Sequence, residues 1–170
     1  MIAQRKLFFA RDEITRPSNT TAYTAGDAIN ETVTRNLSML NAAEFNGQAL
    51  ELVSISVRGD QSAEVWTPRI SLIQAAGSLA DNVALTLGYS SFGGESPTFI
   101  ASSLALATAA LAKPHAVSTF VHAVWRAGSQ RHIYQCGPAS KDIFYILGTD
   151  DAFTPVSGAK YTVECAFLRI

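Results

Sequence analysis

Lys160–Ile170 reads K-Y-T-V-E-C-A-F-L-R-I, and its parity decides how the rest of the chain is read. Tyr161, Val163, Cys165, Phe167 and Arg169 fall on one face. A period of two marks a half-buried strand, because successive side chains of a strand point to opposite faces of its sheet. The same parity recurs upstream. In Leu50–Arg58, Val53, Ile55 and Val57 alternate with Ser54, Ser56 and Arg58. Val65–Ile73 sets Trp66, Pro68, Ile70 and Leu72 against Thr67, Arg69 and Ser71. Pro68 has no N–H for a ladder, so this strand begins at an edge or carries a bulge there. Leu7–Thr15, Val33–Leu40, Asn82–Tyr89, Val117–Arg126, Arg131–Cys136 and Ile143–Gly148 read as further strands.

Turn chemistry separates these runs. Arg16–Asp27 is polar and turn-rich, Asn46-Gly47 is a tight-turn dipeptide, and Gly59-Asp60, Gly137-Pro138 and Asp150–Gly158 break the chain again. Ala127-Gly128-Ser129 predicts a hairpin turn, with Arg131–Cys136 returning along Val117–Arg126. Ser90–Pro97, with Gly93-Gly94, reads as loop, and Phe99–Ala112 as either a short helix or an irregular apolar arm. About eight strands with little helix predict an all-β fold: an antiparallel two-sheet β-sandwich of jelly-roll type, with at most one short helix. Neither an internal repeat nor a dividing linker is visible, so residues 1–170 are expected to form a single domain with residues 1–6 extended.

Composition narrows the class. Apolar residues make up 48%, which excludes a disordered chain, and 170 residues suffice to bury a core without disulfide staples. Net charge is −1 and charged residues are 16%, against roughly 25% in an average soluble domain. Apart from Arg5-Lys6 the basic residues are scattered singly, which argues against nucleic acid as a main partner. Ala, Ser and Thr stand where charged residues are usual. Such side chains cost little to desolvate or immobilise, which fits a subunit covered by neighbours; an alanine-rich genome is the plain alternative. Arg11-Asp12-Glu13 interrupts the start before any apolar signal region forms, and Phe99–Ala112 is too short for a bilayer. The sequence therefore predicts synthesis in the host cytoplasm and no membrane partner.

No set of residues forms a recognisable active site, and the sequence predicts no enzyme, no cofactor and no metal. His115, His122 and His132 lack metal-ligand spacing, although His122 and His132, either side of the expected hairpin, are placed where they could face one another. There is no G-x-S-x-G elbow, and Thr149–Phe153 offers too few oxygens for calcium. Cys136 and Cys165 match no metal spacing and read as buried free thiols, a disulfide being the alternative. Trp66, Tyr89, Phe92, Trp125 and Tyr134 are of the type that stacks on sugars. Trp66 and Trp125, however, share faces with aliphatic neighbours and read as core. Tyr89 and Phe92, beside the glycine-rich loop, suit contact with a partner protein.

Thr15–Asp27, T-R-P-S-N-T-T-A-Y-T-A-G-D, resembles the "TRP-x-(D/N)-TT-A-Y-x-A-G-D" segment near the start of a family of small tailed-phage virion structural proteins. Phe144–Gly148, Ala152–Ser157, Tyr161–Phe167, Pro68–Ile73, Ala80-Asp81-Asn82 and Leu85–Tyr89 are similar to the same family. The resemblance implies a β-sandwich virion component, most simply a capsid decoration or cement protein on the capsid exterior. Its expected partners are the major capsid protein and copies of itself, as a homotrimer. Another virion component (head-fibre base, neck or tail-associated protein) and a carbohydrate-binding module for host surfaces are the alternatives. From composition, Ile2–Phe9 and Phe99–Ala112 are expected to supply the contacts: Ile2, Leu7, Phe8, Tyr89, Phe92, Phe99, Leu104 and Leu106.

Overall fold

A computed structural model describes residues 6–61, 64, 66–73, 80–84, 122–126 and 132–170, the side chains of 122–126 excepted. Nine strands run through them: β1 (Leu7–Thr15), β2 (Ala28–Ile29), β3 (Ser38–Met39), β4 (Ala49–Gly59), β5 (Pro68–Ile73), β6 (His122–Arg126), β7 (His132–Gln135), β8 (Ile143–Thr149) and β9 (Lys160–Arg169). Among the described residues there is no helix, hence none long and apolar enough to cross a membrane. The all-β expectation holds, with every pairing antiparallel. The expected helix-or-arm Phe99–Ala112 lies outside the described residues.

The strands form two sheets. One has the order β1-β9-β4-β6, with β7 also on β4; the other has the order β2-β8-β3, with β5 also on β8. The pairs nest from the two ends of the chain inward. β1 lies on β9, then β2 and β3 on β8, then β4 on β6 and β7. Each step inward moves from one sheet to the other.

Parity sets the core. Tyr161, Val163, Cys165 and Phe167 of β9 are buried, as are Leu50, Leu52, Ile55 and Val57 of β4. They share one cluster with Ile29, Met39, Ile70, Tyr145 and Leu147 of the other sheet. Burying an aliphatic or phenylalanine side chain of this size contributes about 1.5–3 kcal/mol, so this cluster dominates what holds the sheets together. On β4 the inward parity changes between Leu52 and Ile55, and the β4–β9 register shifts between Leu52 and Ser54. An extra residue in one strand is the usual source of such a step, and it bends the strand.

Two expected strands are corrected. Val33–Leu40 is not one strand: only Ser38–Met39 pairs, and Ala28–Ile29 pairs earlier on the same side of β8. Between them side chains satisfy the backbone locally. Asn30 Nδ2 donates to Arg35 O at 3.0 Å, and Glu31 N donates to Asn30 Oδ1 at 2.8 Å. Short polar side chains compete with a ladder in this way, and Val33 is left outside and exposed.

The second correction removes the hairpin. β6 and β7 do not pair with each other, and both run antiparallel to β4. Arg58–Ser54 take His122–Arg126, and Leu52–Ala49 take His132–Gln135. The two are therefore one interrupted course along a long strand. His122 lies level with Arg58 and His132 with Leu52, six residues apart on β4. At ~3.3 Å per residue that separates them by ~20 Å, so they do not face one another.

Candidate functional site

The polar corner between β1 and β2 is built from its backbone outward. Arg16 N donates to Ala159 O at 2.9 Å, the last rung before Pro17 ends the strand. Asn19 Oδ1 accepts from Thr21 N at 3.2 Å, the Asx-type turn expected of this segment. Tyr23 then bridges to Phe153, its N donating to Phe153 O at 2.9 Å. Gly26, at φ +94, takes a backbone conformation that side-chain-bearing residues avoid. Asp27 Oδ2 accepts from Thr24 N at 2.6 Å and from Thr24 Oγ1 at 2.9 Å, which closes the turn into β2.

Inside this corner sits a buried cation. Arg16 is 2% exposed, and all five of its guanidinium N–H groups find acceptors. Nε donates to Tyr23 Oη at 2.6 Å. Nη1 donates to Asn19 O at 3.0 Å and Val156 O at 3.5 Å. Nη2 donates to Asn19 Oδ1 at 3.1 Å and Asp81 Oδ2 at 3.4 Å. Tyr23 Oη in turn donates to Asp81 Oδ1 at 2.5 Å, where Asn30 N also donates at 3.0 Å. Burial, then the hydrogen bond to Asp81, raises the Tyr23 phenol far above its ordinary range, so it stays a neutral donor. The turn expected at Asp81-Asn82 is present, with Asn82 at φ 58 and its N donating to Ala28 O at 2.9 Å. With every Arg16 donor taken, the guanidinium fastens segments of the chain to one another.

Two more acids, half-buried Asp12 and buried Glu64, repeat the pattern. Asp12 takes both Nη groups of Arg35 at 3.0 Å and the Tyr145 hydroxyl at 2.8 Å. Glu64, 2% exposed, accepts from Val156 N at 2.5 Å and from Tyr161 Oη at 2.6 Å. Sequence reasoning missed these roles. One signal was legible: Asp12 and Arg16 share the parity of Ala10 and Ile14, the inward side of β1.

Of the expected contact residues, Leu7 points outward and is 42% exposed. Phe8 turns the other way: its ring packs on the core, 6.1 Å from that of Phe167, with the Arg169 guanidinium 4.0 Å over it. The outward phenylalanine is its neighbour Phe9, 62% exposed, at the end of the expected contact segment Ile2–Phe9. Leu7 lies level with Leu168, Leu168 with Glu51, and Glu51 with Ile133, giving the outer face a largely apolar row that ends on exposed Ile133. Ile2, Tyr89, Phe92, Phe99, Leu104 and Leu106 lie outside the described residues, as does the side chain of Trp125. Trp66 is core: 4% exposed, stacked at 5.0 Å on Phe153 and edge-on to Tyr161. Tyr134 is buried too, its hydroxyl donating to Ile73 O at 2.7 Å and accepting from Phe144 N at 3.0 Å.

Cys136 and Cys165 are buried free thiols, as the sequence reading favoured. Burial, with Asp142 adding to it, pushes Cys136 up to about 11. Burial likewise raises Cys165 above the usual thiol range. A thiol raised on folding contributes stability that is fully present below its unfolded value and is lost as pH rises through the folded one. Native protein is therefore expected to ignore a thiol reagent at pH 8 and to lose stability from about pH 9 upward. Reagent titration with and without urea, and urea midpoints across that range, check both. Rapid native labelling at pH 8 would contradict the burial argument.

Among the described residues no three His, Cys, Asp or Glu gather where they could hold a metal ion. Comparison with protein-family models and with curated proteins returns no match.

Proposed function

We propose that this chain is a bacteriophage virion structural protein, a capsid decoration or cement protein. It binds the outer surface of the major capsid protein shell and stabilises it. One observation carries the reading. Three stretches that resemble the phage family, widely separated in sequence, meet at a single place. Arg16, Asn19 and Tyr23 come from Thr15–Asp27, Asp81 from Ala80–Asn82, and Phe153 and Val156 from Ala152–Ser157. The likeness is thus to one three-dimensional joint, and chance similarity of isolated turns gives no reason for such convergence.

The strand order supports the same reading. A chain that pairs from its ends inward, alternating sheets at each step, follows the path of a jelly-roll sandwich, a fold used by capsid proteins. The outer face of β1 supports it as well, since Leu7 and Phe9 stand exposed on a protein with few charges to cover its surface. The mechanism is mechanical. A protein that binds only the expanded shell lowers that state's free energy by RT ln(1 + [L]/Kd), about 2.7 kcal/mol per site at a hundred times Kd.

The test is co-sedimentation with purified expanded shells that lack the protein, followed by electron cryo-microscopy of the pellet. Saturable binding at hundreds of sites, with density on the shell exterior, is the expected result. Absence from the pellet, or density only at the neck or tail, would move the chain to another virion role or out of the virion.

A further inference from the structure

In an antiparallel ladder alternate residues turn their backbone groups to one neighbour, and the residues between them to the other. The rung from Arg16 N to Ala159 O continues the β1–β9 pairing, so the even-numbered residues of β1 face β9. Leu7, Phe9, Arg11, Glu13 and Thr15 turn their N–H and C=O groups to the opposite edge. Among the described residues no strand pairs there.

Side chains cap half of this edge. Thr15 N donates to Glu31 Oε1 at 3.3 Å, Arg35 Nη2 donates to Glu13 O at 2.7 Å, and Glu13 N donates to Asp12 Oδ1 at 2.9 Å. Over Leu7–Arg11 no comparable cap is present among the described residues. That half instead carries Leu7 and Phe9, both exposed. An uncapped edge with apolar side chains is a template for another strand, and capping is one way a fold refuses one.

We infer that the uncapped half of β1 pairs antiparallel with the same stretch of a second copy, across a two-fold axis at Phe9. The occupant follows from self-complementarity. Centring the pairing on Phe9 uses Leu7, Phe9 and Arg11 of each copy and stops where the caps begin. It sets Phe9 against Phe9, Leu7 against Arg11, and bulky Phe8 against small Ala10. It also brings Lys6 of each copy level with Asp12 of the other. Among the described residues Arg35 is the one cation paired with both Asp12 and Glu31, at 3.0 and 3.1 Å, so this acidic end holds a surplus that Lys6 offsets. The next register that keeps the edge groups facing sets Phe8 against Asp12, and Leu7 against Glu13, whose backbone is already bonded. A symmetric pair closes on itself and leaves no free edge at β1. The pairing rests on strand geometry alone and needs no shell, so its failure and that of the capsid reading are separate results.

Sedimentation and light scattering on purified chain should give a mass that doubles from 18.2 kDa as concentration rises. Phe9→Pro removes an N–H that points only to the free edge. It should keep the wild-type circular dichroism, and the wild-type melting curve at concentrations where both are monomeric, while raising the dissociation constant roughly thirtyfold, from two lost hydrogen bonds. Phe9→Cys should form an interchain disulfide under mild oxidation, because cysteines directly opposite in a hydrogen-bonded pair stand ~5.5 Å apart at Cα. Thr15→Cys, at the capped end, should not. A single-chain mass at every concentration overturns the inference. So does an oligomer that folded Phe9→Pro leaves intact, or equal cross-linking by the two cysteine variants. Should Phe9→Pro not fold, the cysteine pair decides alone.

Discussion

Replacing Arg16 with leucine is expected to lower the unfolding free energy by about 3–5 kcal/mol, the range for removing one member of a buried ion pair. The cost arises less from lost attraction than from what is left behind. Asp81, with an 11% exposed side chain, loses its ion-pair partner. Asn19 O, Asn19 Oδ1 and Val156 O each lose a donor at the same time. Arg16→Lys should recover little of this, since an ammonium offers three donors on a point and not five in a planar fork. Asp81→Asn should cost a comparable amount: an amide oxygen still accepts from Tyr23 and Asn30, but Arg16, its side chain 0% exposed, is left a buried cation without its anion. Urea unfolding of the singles and the double gives the coupling, expected at about 1–3 kcal/mol for groups in one network. A loss under about 1 kcal/mol for Arg16→Leu would mean that water replaces the guanidinium without penalty, which contradicts the burial of this corner. Most natural domains have only about 5–15 kcal/mol in total, so this one side chain decides whether much of the chain stays folded at 37 °C.

The same corner shows what a single sequence can and cannot convey. Its turns were legible because they depend on neighbours: Asn19 bonds two residues on, and Gly26 needs only its own missing Cβ. The burial of Arg16 was not, because Asp81 lies 65 residues away and nothing local distinguishes a paired arginine from a solvated one. β9 was read correctly, with one parity wholly apolar down to Arg169 and covered by the second sheet. β1 is legible as a strand, but which of its two faces turns inward is not. Leu7 and Phe9 on one parity, and Phe8, Ala10 and Ile14 on the other, are both apolar enough to face a core. The hairpin expected at Ala127–Ser129 failed for a related reason. Turn residues announce that a ladder is interrupted, but an 11-residue β4 gives both flanking segments room on the same side, and pattern alone does not reveal that length of partner.

Trp66→Ala is expected to cost about 3–5 kcal/mol, comparable to other large aromatic deletions from well-packed cores. The indole lies nearly parallel to Phe153 (4°) at 5.0 Å, and Phe153 in turn stacks at 5.0 Å on Tyr23. Tyr161 meets the indole edge-on at 5.2 Å while holding Glu64 through its hydroxyl. Deleting the indole therefore opens a cavity bounded by rings that also carry the Tyr23 and Glu64 hydrogen bonds. Among the described residues its Nε1 has no hydrogen-bond partner. Trp66→Phe gives up no made bond and should cost less, about 1–2 kcal/mol, from volume alone. The pair of variants separates a core residue from a sugar platform. A core residue shows this graded loss in urea unfolding, with binding to a glycan array unchanged in whatever fraction remains folded. A platform residue would leave the unfolding midpoint within about 0.5 kcal/mol of wild type and abolish binding, and that outcome would remove Trp66 from the interior where its stacking partners hold it.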